Sequence, residues 1–573
     1  MEYRSLVDLY SQLEQNRSTL VKQQLLEEFF RAFEHDPDLR LAIDLLQGQV
    51  SPSFEMRVFS ISEKNLLRLF QNYASEQIIQ ELMVIQGDLG TVIEQIGQTR
   101  VPEHRISCAR VFEQLRALQN FTGKHSQSLR LEALTALFEL AEPIERKYIV
   151  RTILGKLRIG CSVPTLTTVF GRLFPQTPAA QIRRAFNLHP DLRLCYDLLR
   201  QGEFEVSQQP QVFVPISPML CQRVSSFDEL HRRVSYPIQF EEKYDGIRLQ
   251  LHREGTRVQI FTRNLQSLTE AFPEVVQALL KLPCESCILE GEVVVRSGFS
   301  DTARRRRLID VQQMVQEYPI IVYLFDCLMF NGRSVIDSPL QVRRAILNEL
   351  NLDRSVLQMT PFRPLNEPET REAFEQLLRA NREGAVIKTL DGRYEAGERT
   401  FSWIKLKREY FSELLDTIDL FVIGGYYGQG KRRSRYGSFL LGVYDSSRDR
   451  YLSIARIGTG FSDEQLDQLK QLLDPLVLKD PETLILSDSI PDVFFRPQVI
   501  LEIFASGLSE SDERRLNRYS LRFPVFTGRI RADKRTGTSL EEILTLFRSR
   551  SEQTEPVEQT NLIIDQIESD DCQ

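Results

Sequence analysis

The chain has 573 residues, of which 42% are hydrophobic and 26% charged, and its formal net charge is −7. A chain of this length exceeds what one hydrophobic core can hold, so we expect about three or four domains. No apolar run approaches the roughly 18 residues that cross a bilayer, and the amphipathic start MEYRSLVDLYSQLEQ lacks the order of a signal peptide, so we expect a cytoplasmic protein, associated with the nucleoid if the organism is a prokaryote.

The first predicted region, residues 1 to 205, is helical. The segments LVKQQLLEEFFRAF, EQIIQELMVIQ and SLRLEALTALFELA repeat apolar residues at spacings of three and four, which is typical of amphipathic helices. The stretch QGEFEVSQQPQVFVPISPML contains three prolines and is predicted to be an extended linker. The sequence therefore begins with an all-α domain.

The second predicted region, residues 206 to 408, mixes strands with helices. FEEKYDGIRLQLH places Ile247, Leu249 and Leu251 on one face of a strand. REGT is a turn, and Val258 and Ile260 resume the alternation. We therefore predict a hairpin at the start of this region.

The third predicted region, residues 409 to 548, has the strongest β signals. They occur in DLFVIGGYYGQG, GSFLLGVYD and YLSIARIG. The segment after Arg550 has seven acidic residues and no Lys or Arg. Residues 549 to 573 are therefore predicted to be an acidic, disordered tail.

The eight cysteines are scattered along the chain. The single CxxC, Cys284 to Cys287, has no second pair at the spacing of zinc ligands. We expect reduced thiols, without structural disulfides or a zinc site.

The segment EEKYDGIRLQ, residues 241 to 250, sets Lys243 beside acidic residues, a glycine and an arginine. A lysine with an ordinary pKa of about 10.4 is almost fully protonated at neutral pH and is a poor nucleophile. Desolvation or a nearby cation would favour the neutral amine, and Gly246 would let the strand bend at Asp245 and a ligand approach the backbone. Taken alone, the segment fits either an ordinary salt-bridged strand or a strand that carries a nucleophile.

Five more short motifs follow in order. IFTRN contains Arg263, LEGEVV contains Glu290 and Glu292, VYLFDCLMFNG contains Phe325 and Asp326, EGAVIK contains Glu383 and Lys388, and WIKLK contains Lys405 and Lys407. Each motif alone fits a core strand or a solvated face. Together, lysines and carboxylates on strands indicate a site for a polyphosphate and a divalent metal, and the aromatic ring offers a stacking surface for a base.

Taken in order, these motifs resemble the nucleotidyltransferase motifs of ATP-dependent DNA ligases of the large cellular or archaeal type. GKLRIG at 155 to 160 resembles their helical DNA-binding domain, DTIDLFVIGGYYGQGKRRSRYGSFLLGVYD at 416 to 445 and GTGFSDEQL at 458 to 466 resemble their oligonucleotide-binding (OB) barrel, and SLRFPVFTGRIRADK at 520 to 534 resembles their last motif. The resemblance covers residues 1 to 548. It implies a helical DNA-binding domain at 1 to 205, an α+β nucleotidyltransferase domain of the ATP-grasp-like ligase type at 206 to 408, and a β-barrel OB-fold domain at 409 to 548.

The resemblance also implies a covalent nucleotidyltransferase with defined residue roles. Lys243 would attack the α-phosphate of ATP and release pyrophosphate; AMP would then pass to the 5′-phosphate of a nick, and the 3′-hydroxyl would displace it. Glu241 would read the adenine amino group, and Phe325 would stack on the ring. Further nucleotide contacts would be Arg248, Arg263, Glu292, Arg399, Lys405 and Lys407. The ligands of Mg²⁺ or Mn²⁺ would be Glu292, Glu383 and Asp245, and pyrophosphate would be oriented in the first step by Arg529, Arg531, Asp533 and Lys534.

Two basic clusters are predicted to contact DNA, with nicked duplex DNA as the substrate. Phosphate contacts carry no base information, so binding should be independent of sequence and should weaken with salt. The clusters are Arg304, Arg305, Arg306 and Arg307, and Lys431, Arg432, Arg433 and Arg435.

A hinge near residues 406 to 412 would let the C-terminal domain close and reopen. We expect a monomer, and the tail segment NLIIDQI could dock on a clamp or repair partner.

Other classes stay open from the sequence. An RNA ligase or an mRNA-capping enzyme would share the KxDG chemistry, although the long helical region and the SLRFPVFTGRIRADK motif argue against both. A non-catalytic DNA clamp could keep the same fold. GYYGQGKR nearly spells a P-loop but has Arg432 where Ser or Thr should bind Mg²⁺, and the sequence shows neither the cysteine quartet nor the helix-hairpin-helix repeats of an NAD-dependent ligase.

Overall fold

The structure, a computed structural model, describes residues 1–55, 58–70, 74–96, 105–224, 226–295, 305, 311–380, 382–407, 417–428, 432, 434–505, 507–510, 519–522 and 524–552. The chain forms two compact units. The first contains Met1–Gln222, Arg233–Asn366 and Val386–Ile404, and the second contains Arg223–Arg232, Glu367–Ala385 and Lys405–Gln573. The predicted domain boundaries near residues 205 and 408 do not coincide with this division and stay predictions.

The N-terminal part of the first unit is helical, as predicted. Ser18, Ser75 and Ser162 precede three of the helices, and each side chain accepts a hydrogen bond from the backbone N–H three residues later. Gly87 and Gly202 follow two helices with φ of 60° and 74°, a left-handed conformation that favours glycine. The helices are α1 (Tyr3–Gln15), α2 (Thr19–Ala32), α3 (Leu39–Leu46), α4 (Glu63–Phe70), α5 (Glu76–Gln86), α6 (Leu89–Ile96), α7 (Cys108–Asn120), α8 (Ser126–Leu140), α9 (Pro143–Ile153), α10 (Val163–Leu173), α11 (Ala179–Leu188) and α12 (Leu192–Gln201).

The apolar faces of these helices meet in one aromatic-rich core. Tyr3, Tyr10 and Tyr148 are completely buried there, and Phe30 lies edge-on to Phe170 with ring centroids 5.5 Å apart. None of the helices in the described part of the chain has the length and apolarity that crossing a bilayer would require.

The rest of the first unit contains two sheets. A five-stranded sheet consists of β1 (Leu220–Arg223), β2 (Ile238–Glu242), β9 (Phe362–Leu365), β10 (Gly384–Thr389) and β11 (Arg399–Lys407) in the order β1-β11-β10-β2-β9, and the division between the units falls inside β10 and β11. A six-stranded sheet consists of β3 (Ile247–Glu254), β4 (Arg257–Thr262), β5 (Ser286–Val295), β6 (Ile320–Phe330), β7 (Arg333–Ser334) and β8 (Leu357–Met359) in the order β4-β3-β5-β6-β7, with β8 beside β6. The other helices of this part are α14 (Pro273–Leu280), α15 (Val311–Glu317) and α16 (Leu340–Glu349).

The predicted hairpin is confirmed. β3 and β4 are antiparallel, with Glu254 opposite Arg257, and Gly255 makes the turn with φ of 55°. Leu249 and Leu251 point into a core between this sheet and its helices, as their alternation predicted.

The second unit is rich in strands, as predicted. Its main sheet has the order β15-β14-β13-β12-β17-β20, with β16 paired to β12, and a hairpin of β18 and β19 stands apart. The strands are β12 (Thr417–Tyr427), β13 (Tyr436–Asp445), β14 (Arg450–Ile457), β15 (Ile485–Leu486), β16 (Val493–Phe494), β17 (Ile500–Phe504), β18 (Gly507–Glu510), β19 (Tyr519–Arg522) and β20 (Val525–Ile530). The helices are α13 (Phe227–Arg233), α17 (Glu367–Arg379), α18 (Asp463–Leu473) and α19 (Leu540–Glu552).

The predicted closed OB barrel differs from this sheet. Within the described residues, the strand pairings run as an open path from β15 to β20 and do not close into a ring. β15, at one end of this path, has two residues and pairs in parallel with β14. The C-terminal region is therefore confirmed as sheet-rich, and the closure is the part of the prediction that the structure does not bear out.

Candidate functional site

Lys243 lies in a short connection between the two sheets of the first unit. β2 ends at Glu242 in the five-stranded sheet, and β3 starts directly after Gly246 in the six-stranded sheet. The prediction of one strand bent at Asp245 is therefore corrected, because the chain leaves one sheet and enters the other. Gly246 is required at this crossing, since a Cβ there would lie 2.4 Å from the carbonyl oxygen of Val293.

An aromatic pair holds this connection in place. The rings of Tyr244 and Tyr323 stack with their centroids 4.0 Å apart and their planes 2° from parallel. Glu292 lies beside the same connection, because a Cβ on Gly246 would come within 2.9 Å of its Cγ. The loop that carries Lys243 thus has a carboxylate next to it. We did not single out Tyr244 from the sequence, although an aromatic residue inside a KxDG segment is a signal that could have been followed.

Glu241, two residues before Lys243, forms a buried ion pair with Lys388. Nζ of Lys388 lies 2.7 Å from Oε2 of Glu241, and the two side chains are 2% and 4% exposed. Gln239 donates a hydrogen bond to the other carboxylate oxygen, which also lies 3.8 Å from a guanidinium nitrogen of Arg344. Burial lowers the pKa of Lys388, and the carboxylate of Glu241 opposes this shift because it favours the ammonium form.

Arg248 and Glu290 form a second buried ion pair. NH2 of Arg248 donates to Oε2 of Glu290 at 2.7 Å, and the hydroxyl of Tyr394 donates to the same oxygen at 2.9 Å. NH1 of Arg248 donates to the carbonyl oxygen of Met219 at 2.7 Å. Burial disfavours the guanidinium charge, but Glu290 outweighs burial and the pKa of Arg248 is raised. Arg248, predicted to contact the nucleotide, is held by protein groups in this structure.

Asp326 and Arg343 form a third ion pair, in which both side chains are 0% exposed. Nε and NH2 of Arg343 donate to the two oxygens of Asp326 at 2.7 and 2.9 Å. NH1 of Arg343 donates to the carbonyl oxygens of Ser338 and Gly392. The acidic residue that follows Phe325 therefore fixes the backbone of this region.

Phe325 belongs to an aromatic group that also contains Trp403 and Tyr394. The ring of Trp403 stands edge-on to Phe325 at 5.9 Å and to Tyr394 at 5.8 Å. The ammonium group of Lys388 lies 4.7 Å from the ring centre of Phe325 and 4.6 Å from that of Trp403. Trp403, in the predicted WIKLK strand, was not among the residues that we selected from the sequence.

Three other predicted residues of the first unit take different positions. Arg263 is exposed directly after β4. Arg399 is also exposed, and its NH1 donates to the carbonyl oxygen of Cys221 at 2.9 Å. Asp245 is half-buried in the connection that carries Lys243. The structure therefore keeps Asp245 beside Lys243 and leaves the two arginines at the surface of the unit.

The second unit contains Glu383, Lys405 and Lys407. Nζ of Lys407 lies 2.6 Å from Oε1 of Glu383. Lys405 and Lys407 are both half-buried and, two residues apart on β11, share one face. Gly384 allows the two strand ends to approach, because a Cβ there would lie 2.1 Å from the carbonyl oxygen of Leu406.

Within the described residues, no group of three or more His, Cys, Asp and Glu side chains is arranged to hold a metal ion. Glu292 and Asp245 still supply the oxygen donors that suit Mg²⁺. This ion is usually bound by one or two carboxylates together with substrate phosphates and water. The residues therefore fit a metal that binds together with a nucleotide.

The predicted pyrophosphate-orienting motif lies in the second unit, where carboxylates surround Arg531. Its Nε and NH2 donate to the two oxygens of Asp533 at 3.0 and 2.9 Å, and its NH1 reaches Asp419 at 3.3 Å and Glu502 at 3.2 Å. The hydrogen bonds from Arg531 lower the pKa of Asp533 to about 2, so this pair stays charged at neutral pH.

The two other cations of the motif are more exposed. Arg529 is 63% exposed and lies 3.8 Å from Glu502. Lys534 is 43% exposed and pairs with Asp419. Because water already solvates them, these side chains can change partners at little desolvation cost.

The structure contradicts the DNA-binding role of Arg305. This side chain is 1% exposed, its NH1 donates to the carbonyl oxygen of Ala271 at 3.0 Å, and it pairs with Glu274. The prediction is wrong for Arg305 because a run of arginines in a sequence does not show whether any member of it is buried. Arg304, Arg306 and Arg307 lie outside the described residues.

Arg432 and Arg435, the two described members of the second basic cluster, each pair with a carboxylate. Arg432 lies 2.7 Å from Asp463, and Arg435 lies 2.5 Å from Asp467 on the same helix, α18. The two arginine side chains are 43% and 25% exposed. Lys431 and Arg433 lie outside the described residues, as do residues 553–573 of the predicted tail and residues 408–412 of the predicted hinge. Residues 549–552, predicted to belong to the disordered tail, instead form the end of helix α19.

Comparisons with known proteins cover nearly the whole chain. Residues 2–171 match the family model described as DNA ligase N terminus, residues 218–407 match ATP dependent DNA ligase domain, and residues 432–534 match ATP dependent DNA ligase C terminal region. A DNA ligase of Nitrosopumilus maritimus is 33% identical, with 96% of this chain and 98% of the relative covered. A DNA ligase of Sulfolobus acidocaldarius is 30% identical at the same coverage. The solved structure Pmar-Lig_Pre has a TM-score of 0.59 at 18% identity, covering 92% of this chain and 99% of that one, and so is similar in fold.

Proposed function

This chain belongs to the family of ATP-dependent DNA ligases, and we propose that Lys243 is the residue through which it transfers AMP. The observation that carries the proposal is the position of Lys243 at the junction of two sheets. The base-reading candidate Glu241 is the last residue but one of the strand that precedes Lys243, and Glu292 lies beside the connection that holds Lys243. Ligases of this family use ATP and act on nicked DNA.

The proposed reaction has three steps. Nζ of Lys243, after losing a proton, attacks the α-phosphorus of ATP, a P–N bond forms, and pyrophosphate leaves with the electrons of the broken P–O bond. The 5′-phosphate at the nick then displaces Lys243 from the phosphorus of AMP. Finally, the 3′-hydroxyl attacks the activated 5′-phosphate and AMP leaves, which seals the strand. Each step needs in-line positioning and neutralisation of charge on phosphate oxygens.

The chain's own residues would supply positioning and charge. Glu241 accepts a hydrogen bond from the amino group of adenine, and Phe325 provides the ring face on which the base stacks. Lys405 and Lys407 are cations for the α-phosphate. Further nucleotide contacts that we propose are Arg248, Arg263, Glu292 and Arg399.

A divalent metal is proposed as a cofactor, with Glu292 and Asp245 as oxygen donors in the first unit and Glu383 as a candidate in the second. When bound, Mg²⁺ or Mn²⁺ would neutralise phosphate charge and favour release of pyrophosphate. Glu383 would have to exchange its pairing with Lys407 for the metal. Arg529, Arg531, Asp533 and Lys534 would orient pyrophosphate in the first step.

Binding to DNA is proposed to be independent of sequence. Arg432 and Arg435 would exchange their carboxylate partners on α18 for phosphates, which makes binding sensitive to salt. We propose a cytoplasmic monomer that associates with the nucleoid, and we propose the acidic tail as a contact for a clamp or repair partner.

The test is transfer of label from α-³²P-ATP with Mg²⁺, followed by a chase with nicked DNA. We expect a labelled protein band in the wild type, loss of the band in Lys243→Ala, and its discharge into sealed DNA. Lys281→Ala is the control, because this lysine is 67% exposed and pairs with Asp353. The wild type must first be treated with pyrophosphate, which strips any AMP already attached. A band that survives in Lys243→Ala would refute the assignment of the nucleophile, and a band that only RNA ends discharge would indicate an RNA ligase.

A further inference from the structure

Lys388 is a buried lysine that none of the three reaction steps uses. It lies on β10 with 1% of its surface exposed, and its neighbours are the carboxylate of Glu241 and the rings of Phe325 and Trp403. Burial of an ammonium group is unfavourable unless a counter-charge and hydrogen bonds compensate for it, and an apolar residue of similar size usually packs at least as well. A buried lysine at this position therefore calls for a specific role.

The geometry fixes where the charge of Lys388 acts. Its Nζ lies 2.7 Å from Oε2 of Glu241, and Oε1 of that carboxylate accepts from Gln239. An ionised carboxylate offers about four lone-pair directions, so these bonds leave acceptor sites on Glu241. The rings of Phe325 and Trp403 confine the ammonium group at 4.7 and 4.6 Å, which leaves it few other positions.

The charge state of Glu241 matters for base recognition. An ionised carboxylate only accepts hydrogen bonds, so it suits the amino group at position 6 of adenine and repels the carbonyl oxygen at the same position of guanine. Two cations lie near this carboxylate, Lys388 at 2.7 Å from Oε2 and Arg344 at 3.8 Å from Oε1, so Lys388 is the nearer one. A buried carboxylate that loses its nearest cation takes up a proton more readily. It could then donate to a carbonyl, and the preference between the two purines would fall.

From these observations we infer that Lys388 is a positioning residue that keeps Glu241 ionised and oriented, and that this ion pair makes the site selective for the amino group of adenine. The inference rests on the proposed function of Lys243 and Glu241. The alternative is that Lys388 only stabilises the fold and has no effect on which base is bound.

The test compares ATP with purine riboside triphosphate, which lacks the amino group. The rate of adduct formation on Lys243 at low nucleotide concentration is followed by the intact mass of the protein, and the ratio of the two rates is the readout. A purely structural defect lowers both rates together, whereas loss of the amino contact changes their ratio. In the wild type we expect ATP to be preferred by about 10- to 100-fold, the range for a hydrogen bond to a charged group.

The variants are Lys388→Met, Lys388→Arg and Lys281→Met. We expect the preference in Lys388→Met to fall at least fivefold below that of the wild type. Lys388→Arg, which keeps the charge, should retain the preference, and Lys281→Met, at an exposed pair, should match the wild type. An unchanged ratio in Lys388→Met would overturn the inference.

A binding measurement decides the case in which Lys388→Met forms no adduct. Trp403 is the single tryptophan of the chain and lies in this aromatic group, so its fluorescence can report nucleotide binding in the Lys243→Ala background. The affinity ratio of the two nucleotides should fall in Lys388→Met, or in Lys388→Gln if the methionine variant is insoluble, and an equal ratio there would also overturn the inference. A wild type that forms no adduct with ATP after pyrophosphate treatment would instead refute the proposed function of Lys243, and the inference with it.

Discussion

Two charged regions of this protein neutralise their charge in different ways. In the first unit, Lys388 with Glu241 and Arg343 with Asp326 are enclosed, with no side chain in either pair above 4% exposure. In the second unit, Arg531 shares its guanidinium among carboxylates in a motif whose other cations are open to water.

The difference bears on what each region can do. An enclosed pair is strongly coupled to its surroundings, so removal of one member leaves an uncompensated charge. An exposed pair is weak and screened, so its members can exchange carboxylates for phosphates. The first arrangement suits a site that must hold one base in one orientation, and the second suits cations that must bind and release phosphates.

The largest expected effect is on stability, and it tests whether the enclosed pairs are strongly coupled. Arg343→Met leaves Asp326 buried without a cation and should lower the free energy of unfolding of the first unit by about 3–5 kcal/mol. The measurement is urea unfolding followed by the fluorescence of Trp403, which lies in the same unit. Lys281→Met, which breaks an exposed pair, should change this free energy by less than about 1 kcal/mol. A loss as small as that in Arg343→Met would contradict the distinction between the two kinds of pair.

The next effect concerns the ring that is proposed to hold the base. Phe325→Ala should lower kcat/KM for adduct formation with ATP by about 10- to 100-fold, because stacking of a base on an aromatic ring contributes about 1–3 kcal/mol. Phe325→Leu separates stacking from packing, since it keeps bulk but has no ring, and it should lose nearly as much as alanine. Phe325→Tyr should stay close to the wild type. If leucine restored the rate, Phe325 would be a core residue only.

In the first unit, the sequence pointed to individual residues in short motifs but not to the side chains that contact them. Lys243, Glu241 and Phe325 were selected from short segments whose residue types carry a chemistry. That Glu241 pairs with Lys388 could not be predicted in this way, because 147 positions separate the two residues and only the fold brings β10 next to β2.

Local patterns also failed where chain direction or burial decides the outcome. The alternation from Glu241 to Leu251 looked like one bent strand, yet the chain changes sheets after Glu242. Arg305 looked like its three neighbours in a solvated run, yet Glu274 and a carbonyl group hold it inside. The spacing of apolar residues predicts where helices and strands form. The order of the strands in a sheet, and which charged side chains become buried, depend on tertiary packing.

A smaller effect is expected at the exposed motif, and it should be confined to one step. Arg531→Ala should slow adduct formation with ATP about tenfold, because a cation that we propose to orient pyrophosphate is lost, and a factor of ten corresponds to about 1.4 kcal/mol of transition-state stabilisation. Sealing of a nick that already carries AMP should change less than about twofold, since no pyrophosphate is involved, and single-turnover assays of the two reactions separate these outcomes. Asp419→Asn is the matched variant that removes a competing carboxylate. Equal slowing of both reactions by Arg531→Ala would indicate a structural role for Arg531.

The smallest effect is expected at the surface arginines of the second basic cluster. Arg435→Ala should weaken binding to nicked DNA uniformly across sequences and reduce the slope of log affinity against log salt by about 1, the contribution of one phosphate contact. The control is Arg448→Ala, an exposed arginine that is also near a carboxylate, Asp445, and it should leave the slope unchanged. Fluorescence anisotropy of labelled nicked DNA at several salt concentrations measures both. If the slope did not change in Arg435→Ala, Arg435 would remain with Asp467 in the complex, and the exchange of carboxylates for phosphates would not extend to this cluster.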